Sequence, residues 1–518
     1  MRNFFKHHRL LLLSLAIITV IFWQITNGEF VWDDYYFIVG WEEIKNPLEN
    51  FGKLLSGNIP IAEGKIYRPL RSIFYSISYK FWGENPTGYK VQALIVHLIS
   101  AAVCYFTSLK ILKNKKQSTI SSILFGIHPM VVEAVAFTTA SFDTIGNMFF
   151  LISFYTYLIS KNKKTTVLKK ISYISAFIAF FTNELTLTLP LIIIIYDMVM
   201  EKNSFKNIKK MFSTYKPYLI INGSYWLTRV FVKVSSAEKE YRILGSLYSS
   251  SLVMVRAVVK YIQLLLFPIR STNNHVVYRN VTNLYHADFN FPENNFIPDI
   301  LDPEILLSGL VIILLILFSI KFSKKLSVTS FSLLTILISL TPVLQIFPSQ
   351  TVFAERYLYI AIFFFSILLV DLLFRIKQKE LSSMLIIVII LFFSIKSEKN
   401  INTWKTRKSL WLNANKYTPQ SAMTAVNIGL IEYVSGNHEV GISMLEKAID
   451  LNPNNFFARK KLAYLYLDQE NIELAIKQYN ILIKRNPDKN VALKTVGDIF
   501  KSEGYPQIAE QYYQKIIN

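Results

Sequence analysis

Apolar residues come in long, nearly charge-free runs up to about residue 397, and at helical spacing among polar residues after that. A helix that crosses a bilayer needs about 20 mostly apolar residues. The runs 10–26, 88–109, 118–135, 143–160, 169–183, 185–200, 217–234, 305–321, 327–347, 354–374 and 380–396 meet that requirement approximately, predicting about eleven spans. The stretch 251–268 is also apolar but carries Arg256 and Lys260 and ends at Pro268. Read as a re-entrant or interfacial helix, it leaves every Lys/Arg cluster between the runs on one side of the membrane, together with the N-terminus, as the positive-inside rule asks. The N-terminus is then cytoplasmic and the tail external, and 27–87 and 235–304 become external segments. The first run, preceded by Arg2, Lys6 and Arg9, reads as an uncleaved signal anchor.

The tail has a different period. Pro419, Pro453 and Pro487 lie 34 residues apart; Gly429, Ala463 and Gly497 share one register, and Gly441, Ala475 and Ala509 another. Large residues follow in step at Tyr466 and Phe500, and at Leu445, Tyr479 and Tyr513. Small residues let paired helices approach and large ones fill the space between pairs, a pattern that resembles the tetratricopeptide repeat, with about three repeats. The expected fold class is therefore all-α: a polytopic helical membrane domain over 1–396, a linker helix over 397–414 and a repeat solenoid over 415–518. Taken alone, such a tail is equally an oligomerisation or scaffold arm and a groove for a peptide.

Composition narrows the function classes. The chain of 518 residues is 52% hydrophobic and 14% aromatic, which suits a lipid-facing surface. Its formal charge of +21 would suggest nucleic acid in a soluble protein, but here much of it sits in short clusters between apolar runs, and nucleic acid is not an expected partner. The one cysteine, Cys104, excludes an intrachain disulfide and suits a reduced compartment or a prokaryotic envelope.

Candidate chemistry collects at the ends of the runs. Asp33 and Asp34 follow the first run in Phe30-Val31-Trp32-Asp33-Asp34. Adjacent, partly desolvated carboxylates raise at least one pKa, which suits a general base; the plain alternative is a helix cap. Arg68 and Arg71, in Tyr67-Arg68-Pro69-Leu70-Arg71, suit a phosphate or a lipid headgroup. His128, Glu133, Asp143, Glu184, Arg229, Glu355 and Arg356 fall at comparable depth on several helices. Ionisable residues there are costly and usually face a polar cavity, although an ion-pair network is a serious alternative. One imidazole with several carboxylates would suit a divalent metal, but the spacing matches no strict ligand motif. The chain contains no phosphate loop, dinucleotide fingerprint, Gly-x-Ser-x-Gly elbow or zincin helix, so an already activated, lipid-borne donor is expected. His275, His286 and Asp288 receive no role.

The order of these motifs carries a family resemblance. Phe-Val-Trp-Asp-Asp is followed by Tyr-Arg-Pro-Leu, then by His-Pro-x-x-x-Glu-Ala-Val and an Asp. Next come Asn183-Glu184, Tyr196-Asp197, Ala-Glu-Arg-Tyr-Leu-Tyr over 354–359, and Asn402-Thr403-Trp404 leading into the repeats. Over nearly its whole length the chain resembles the transmembrane and tetratricopeptide-repeat-containing glycosyltransferases, relatives of the protein O-mannosyltransferases with the GT-C fold. The resemblance implies an inverting enzyme whose donor is a sugar on polyprenyl phosphate. Asp33 or Asp34 would take the proton from an acceptor Ser or Thr, and Arg68, Arg71, Arg229 and Arg356 would steady the lipid phosphate. His128, Glu133, Asp143, Glu184 and Glu355 would shape the sugar pocket, and the repeats would engage the acceptor protein. Two other readings stay open: a glycolipid or envelope-polysaccharide acceptor, and an inactive membrane-anchored scaffold. The expected location is a prokaryotic cytoplasmic membrane, or the endoplasmic reticulum in a eukaryote.

Overall fold

Helix boundaries follow local chemistry. Asn85 caps the helix that starts at Pro86, its side chain accepting from Thr87 N at 3.0 Å. Asn114 does the same for the next helix, accepting from Lys116 N at 2.9 Å and Gln117 N at 3.2 Å, and Asp302 precedes Pro303 in the same way. Each cap satisfies backbone donors that the first helical turn leaves open, and proline at the first position has no donor to leave unsatisfied.

The computed structural model describes residues 8–56, 67–163, 165–201, 208–232, 246–278, 281–282, 298–345, 351–485 and 488–517. Pro487, His286 and Asp288 lie outside them. The chain divides into two compact units, one within residues up to 410 and the other over 411–518. Apart from the short helices Glu42–Lys45 and Phe51–Ser56, the described helices of the first are α1 (Arg9–Phe22), α2 (Pro69–Trp82), α3 (Pro86–Leu112), α4 (Lys115–Gly126), α5 (Val132–Ala136), α6 (Thr138–Lys163) and α7 (Thr166–Thr182). They continue as α8 (Leu189–Val199), α9 (Ile208–Phe231), α10 (Leu247–Leu266), α11 (Pro303–Lys321), α12 (Ser327–Ser339), α13 (Tyr359–Phe374) and α14 (Lys379–Thr403). A two-stranded antiparallel ribbon, Val276–Tyr278 with Val281–Thr282, is a minor exception to the all-helical fold.

Among the described residues, seven helical segments, starting at Arg9, Pro86, Thr138, Leu247, Pro303, Glu355 and Lys379, are long and apolar enough to cross a membrane, as expected of a polytopic membrane protein. The bent pair of α4 with Pro129–Ala136, at 51°, can be an eighth. The eleven apolar runs outnumber these because polar caps cut some of them short. Asn183 ends α7, and the 3-10 turn Glu184–Thr188 delays α8, which is left with 11 residues. Conversely α10, read from sequence as re-entrant or interfacial, is among the seven. Its Arg256 pairs with Glu304 at the start of α11, Nε to Oε2 at 3.2 Å.

Within this unit α6 packs against α3 and α7, and α13 against α4 and α12. The segment after α1 folds back onto that frame. Phe30, Ile38, Trp41, Ile44 and Leu54 form one buried cluster with Tyr75 of α2, Tyr89 and Val96 of α3, and Phe142 of α6. That apolar clamp fixes the acidic pair beside the start of α6.

In the second unit six helices follow one another: α16 (Ala422–Val434), α17 (His438–Leu451), α18 (Phe456–Asp468), α19 (Ile472–Arg485), α20 (Lys489–Ser502) and α21 (Pro506–Ile517), after α15 (Arg407–Tyr417). The small residues in register sit where these helices meet. A Cβ on Gly429 would lie 2.8 Å from the carbonyl oxygen of Gly441, and one on Gly441 2.8 Å from that of Gly429. Ala463, Ala475 and Ala509 are buried in one core with Leu445, Tyr466, Tyr479 and Phe500.

Candidate functional site

The two adjacent aspartates have different environments. Asp34 is fully buried and its carboxylate is saturated. One oxygen accepts from both the backbone N and the hydroxyl of Thr139, each at 2.7 Å, and the other from Val31 N at 3.1 Å. Thr139 is the second residue of α6, so Asp34 caps a helix from a distant part of the chain. Burial raises its pKa, while Lys90 of α3 and these hydrogen bonds pull the other way.

Asp33 is half-buried, and among the described residues nothing hydrogen-bonds its carboxylate. Burial raises its pKa to about 6; Arg356 opposes the rise, Asp34 adds to it and Arg71 opposes it again. A carboxyl group with free lone pairs that changes charge near neutrality suits proton transfer. The divergence of the two neighbours begins at Trp32, whose φ of 49° is left-handed and uncommon for a bulky residue.

Beside Asp33 lies a lattice of arginines and carboxylates. Arg68 holds Glu184 with two parallel bonds, Nε to Oε2 at 2.6 Å and Nη2 to Oε1 at 2.5 Å, and reaches Asp143 at 3.0 and 3.2 Å with Nη1. Burial alone would raise the pKa of Glu184, but Arg68 holds it down at about 2. Arg71 touches Asp143 at 3.1 Å and also donates to Tyr75 Oη and Thr139 O, both at 3.0 Å. Arg356 pairs with Glu133 through Nη1, and its backbone N donates to the same carboxylate at 3.1 Å. The Arg71 Nε is buried without a partner, and one guanidinium nitrogen of Arg356 accounts for all its side-chain hydrogen bonds among the described residues. These are donors of the kind that binds phosphate oxygens.

Asp33, Asp34, Arg68, Arg71, Glu133, Asp143, Glu184 and Arg356 thus share one site, and Arg229 lies near enough to Glu184 to lower its pKa. Two other sequence candidates have separate surroundings. His128 is buried between Leu265 O, at 3.1 Å, and Met130 N, at 3.2 Å, with its ring against Phe365 and Phe393. Glu355 accepts from Ser271 Oγ at 2.7 Å, Thr272 N at 2.8 Å and His275 Nε2 at 2.7 Å, which ties the segment after α10 to the turn that carries Arg356.

Sequence reasoning passed over Thr139, Lys90, Tyr357 and His275. Tyr357 lies among the charges of Arg356, Arg68, Glu184 and Asp143, yet its hydroxyl makes no hydrogen bond among the described residues. Thr139 acts through its backbone N and hydroxyl on Asp34, and the Lys90 ammonium donates to Ala136 O at the end of α5. Nothing in residue type or spacing marks such contacts in advance. No group of three or more His, Cys, Asp or Glu among the described residues is arranged to hold a metal ion.

No protein-family model matches the chain. Among curated proteins, protein O-mannosyl-transferase TMTC3 of Homo sapiens is 23% identical over 506 residues, covering 90% of this chain and 54% of its own length. Protein O-mannosyl-transferase F38B6.6 of Caenorhabditis elegans is 23% identical over 475 residues, covering 86% and 63%. Protein O-mannosyl-transferase TMTC1 of Homo sapiens is 29% identical over 141 residues, 25% of this chain. The chain spans about half the length of the TMTC3 relatives it matches. The long matches run through both the membrane unit and the tail, and are consistent with the family resemblance in the motifs.

Proposed function

We propose that this chain is a membrane glycosyltransferase that moves a sugar, by analogy with its relatives mannose, from a polyprenyl-phosphate donor to Ser or Thr hydroxyls of proteins. The observation that carries this reading is the unpaired Asp33 carboxylate, with a pKa near 6, beside arginines that retain free donors. Displacement at a sugar carbon needs a base on one face and stabilisation of the leaving charge on the other. Asp33 takes the acceptor proton. The oxygen attacks C1, the bond from C1 to the phosphate oxygen breaks, and the anomeric centre inverts. Arg356, with Nη2 and Nε unspent, receives the departing phosphate, and Arg71 offers a further N–H.

Arg68 and Arg71 together balance the charges of Asp143 and Glu184, and the four act as the wall of the donor pocket. Asp34 keeps the loop in place. In this reading the tail is a short tetratricopeptide solenoid that presents the acceptor. The test is glycoproteomics on cells carrying the wild-type gene, a deletion and Asp33→Asn. Hexosylated Ser or Thr peptides should vanish in both mutants while the membrane abundance of Asp33→Asn stays normal. A glycoproteome identical in all three would sink the protein-transferase reading, and a changed glycolipid profile in its place would move the acceptor to lipid.

A further inference from the structure

The loop that carries Asp33 does not hold its own shape. Trp32 is left-handed at φ 49°, a strained conformation for a bulky residue that persists only where its surroundings impose it. The Trp32 ring stacks on Phe137, with centroids 5.6 Å apart and planes 10° from parallel. Phe137 stacks in turn on Trp404 at 5.2 Å and 22°. Phe137 belongs to the link between α5 and α6, next to the Thr139 that Asp34 caps; Trp404 is the residue just past α14.

Backbone contacts join the same two segments. Glu29 N donates to Lys405 O at 3.0 Å, and Arg407 N donates to the Glu29 carboxylate at 2.6 Å. Gly28 sits against this contact, where a Cβ would meet Lys405 O at an ordinary 3.5 Å and press more tightly on Ile25 O of its own turn, at 3.1 Å. The Arg407 guanidinium lies 5.3 Å from the Tyr35 ring centroid, on the far side of the aspartates along the chain. The strap 404–407 therefore touches the loop both before and after Asp33, and from there the chain continues into the helical tail.

We infer that the strap Trp404–Arg407 is a positioning element for Asp33: the stack Trp404–Phe137–Trp32 and the tethers at Glu29 hold the left-handed turn that keeps the Asp33 carboxylate unpaired and facing the reacting hydroxyl. This rests on the assignment of Asp33 as the base. Trp404 touches no substrate and acts through Trp32. The groups that face Asp33 and set its charge are its neighbour Asp34, Arg71 of α2 and Arg356 before α13; none of them is altered when Trp404 is changed.

The test uses the full chain in membranes supplied with radiolabelled polyprenyl-phosphate mannose, with transfer to endogenous protein followed against donor concentration and pH. Trp404→Ala should lower kcat about 10- to 100-fold, the scale of a misplaced catalytic group, with the donor KM within about twofold, and should move the acidic limb of the rate profile. Trp404→Phe, which keeps a ring in the stack, should restore most of the rate. If Trp404→Ala fails to fold, Trp404→Leu fills the space without a stack. Glu29→Ala, at an exposed position, removes one tether and should cost several-fold in kcat in the same direction. Wild-type kcat and an unmoved acidic limb in Trp404→Ala or Trp404→Leu, with Asp33→Asn inactive, would overturn the positioning role and leave the base assignment standing. An active Asp33→Asn would overturn the base assignment itself.

Discussion

Helix α6 serves two buried carboxylate centres, one toward each end, and they are built on opposite principles. Toward its end Asp197 of α8 accepts from Tyr157 Oη at 2.6 Å, Tyr215 Oη at 2.9 Å and Lys161 Nζ at 2.6 Å. Toward its start Asp143 joins Arg68 and Arg71, next to an Asp33 carboxylate that nothing hydrogen-bonds among the described residues. Asp143 and Tyr157, 14 positions apart, are separated by about 21 Å along the helix axis. The far centre spends its lone pairs on the protein and acts as a rivet. The near one keeps donors and a carboxylate unspent, at an energetic cost that a purely structural ion-pair cluster would have no reason to carry.

Removing each carboxylate should separate these roles with the largest effects. Asp33→Asn should lower transfer by about 10³-fold, within the range of a lost general base, while the melting temperature is unchanged or rises, because an unpaired carboxylate is lost. Asp197→Ala should instead destabilise the protein by roughly 3–5 kcal/mol, the cost of stranding the partners of a mostly buried charge, with the rate per folded molecule unchanged. Thermal unfolding in detergent and transfer assays on the same preparations check both. Equal stability losses would erase the contrast.

Arg356→Lys is the next step down. Lysine keeps the charge and reaches Glu133 but forfeits the planar fork and the Nε donor. Transfer should fall about 10- to 100-fold, on the scale of losing one transition-state donor, with abundance retained. A loss no greater than twofold would remove Arg356 from the leaving-group side.

The acid limb sharpens the comparison without mutation. As the proposed base, Asp33 would work deprotonated, so kcat/KM should fall tenfold per pH unit below about 6. Its effect on stability has the opposite sign. Between its ordinary value of 3.8 and about 6 the native state binds the extra proton, so stability from this group falls as pH rises. Glu184 behaves conversely. Its contribution is present above the ordinary value of 4.5 and is lost as pH drops toward about 2. Activity should therefore disappear well before the Arg68–Glu184 wall opens, as rate and circular dichroism measured over one pH series would reveal.

Most of this site was legible because ionisable residues at the ends of apolar runs are expensive, and eight such residues do converge. The division of labour between Asp33 and Asp34 was not. It depends on which carboxylate meets the start of α6, a contact 105 positions away in sequence, and on a left-handed Trp32 that no local preference favours. His128 and Glu355 carry the same sequence signal as the convergent residues, but their partners are backbone groups and the 271–275 segment. In the tail the 34-residue register located the helix contacts because packing there is local, each small residue facing the adjacent helix. Span number was less legible, since apolar runs do not reveal where caps such as Asn183 cut a helix.

The smallest contrast needs only two hydroxyl groups. Tyr157 donates to Asp197, so Tyr157→Phe removes one of three donors from a buried carboxylate and should cost about 1–3 kcal/mol of stability, with activity unaffected. Tyr357 has the same phenol in the near centre, among Arg356, Arg68, Glu184 and Asp143, and makes no hydrogen bond there among the described residues. Tyr357→Phe should leave stability within about 0.5 kcal/mol of wild type and, if the near centre binds the donor as proposed, still lower transfer several-fold. The two variants are chemically identical deletions, so a difference in which property each one moves can come only from the surroundings. If Tyr357→Phe lost stability as Tyr157→Phe does, the near centre would be a second rivet, and the unspent donors beside Asp33 would need another explanation.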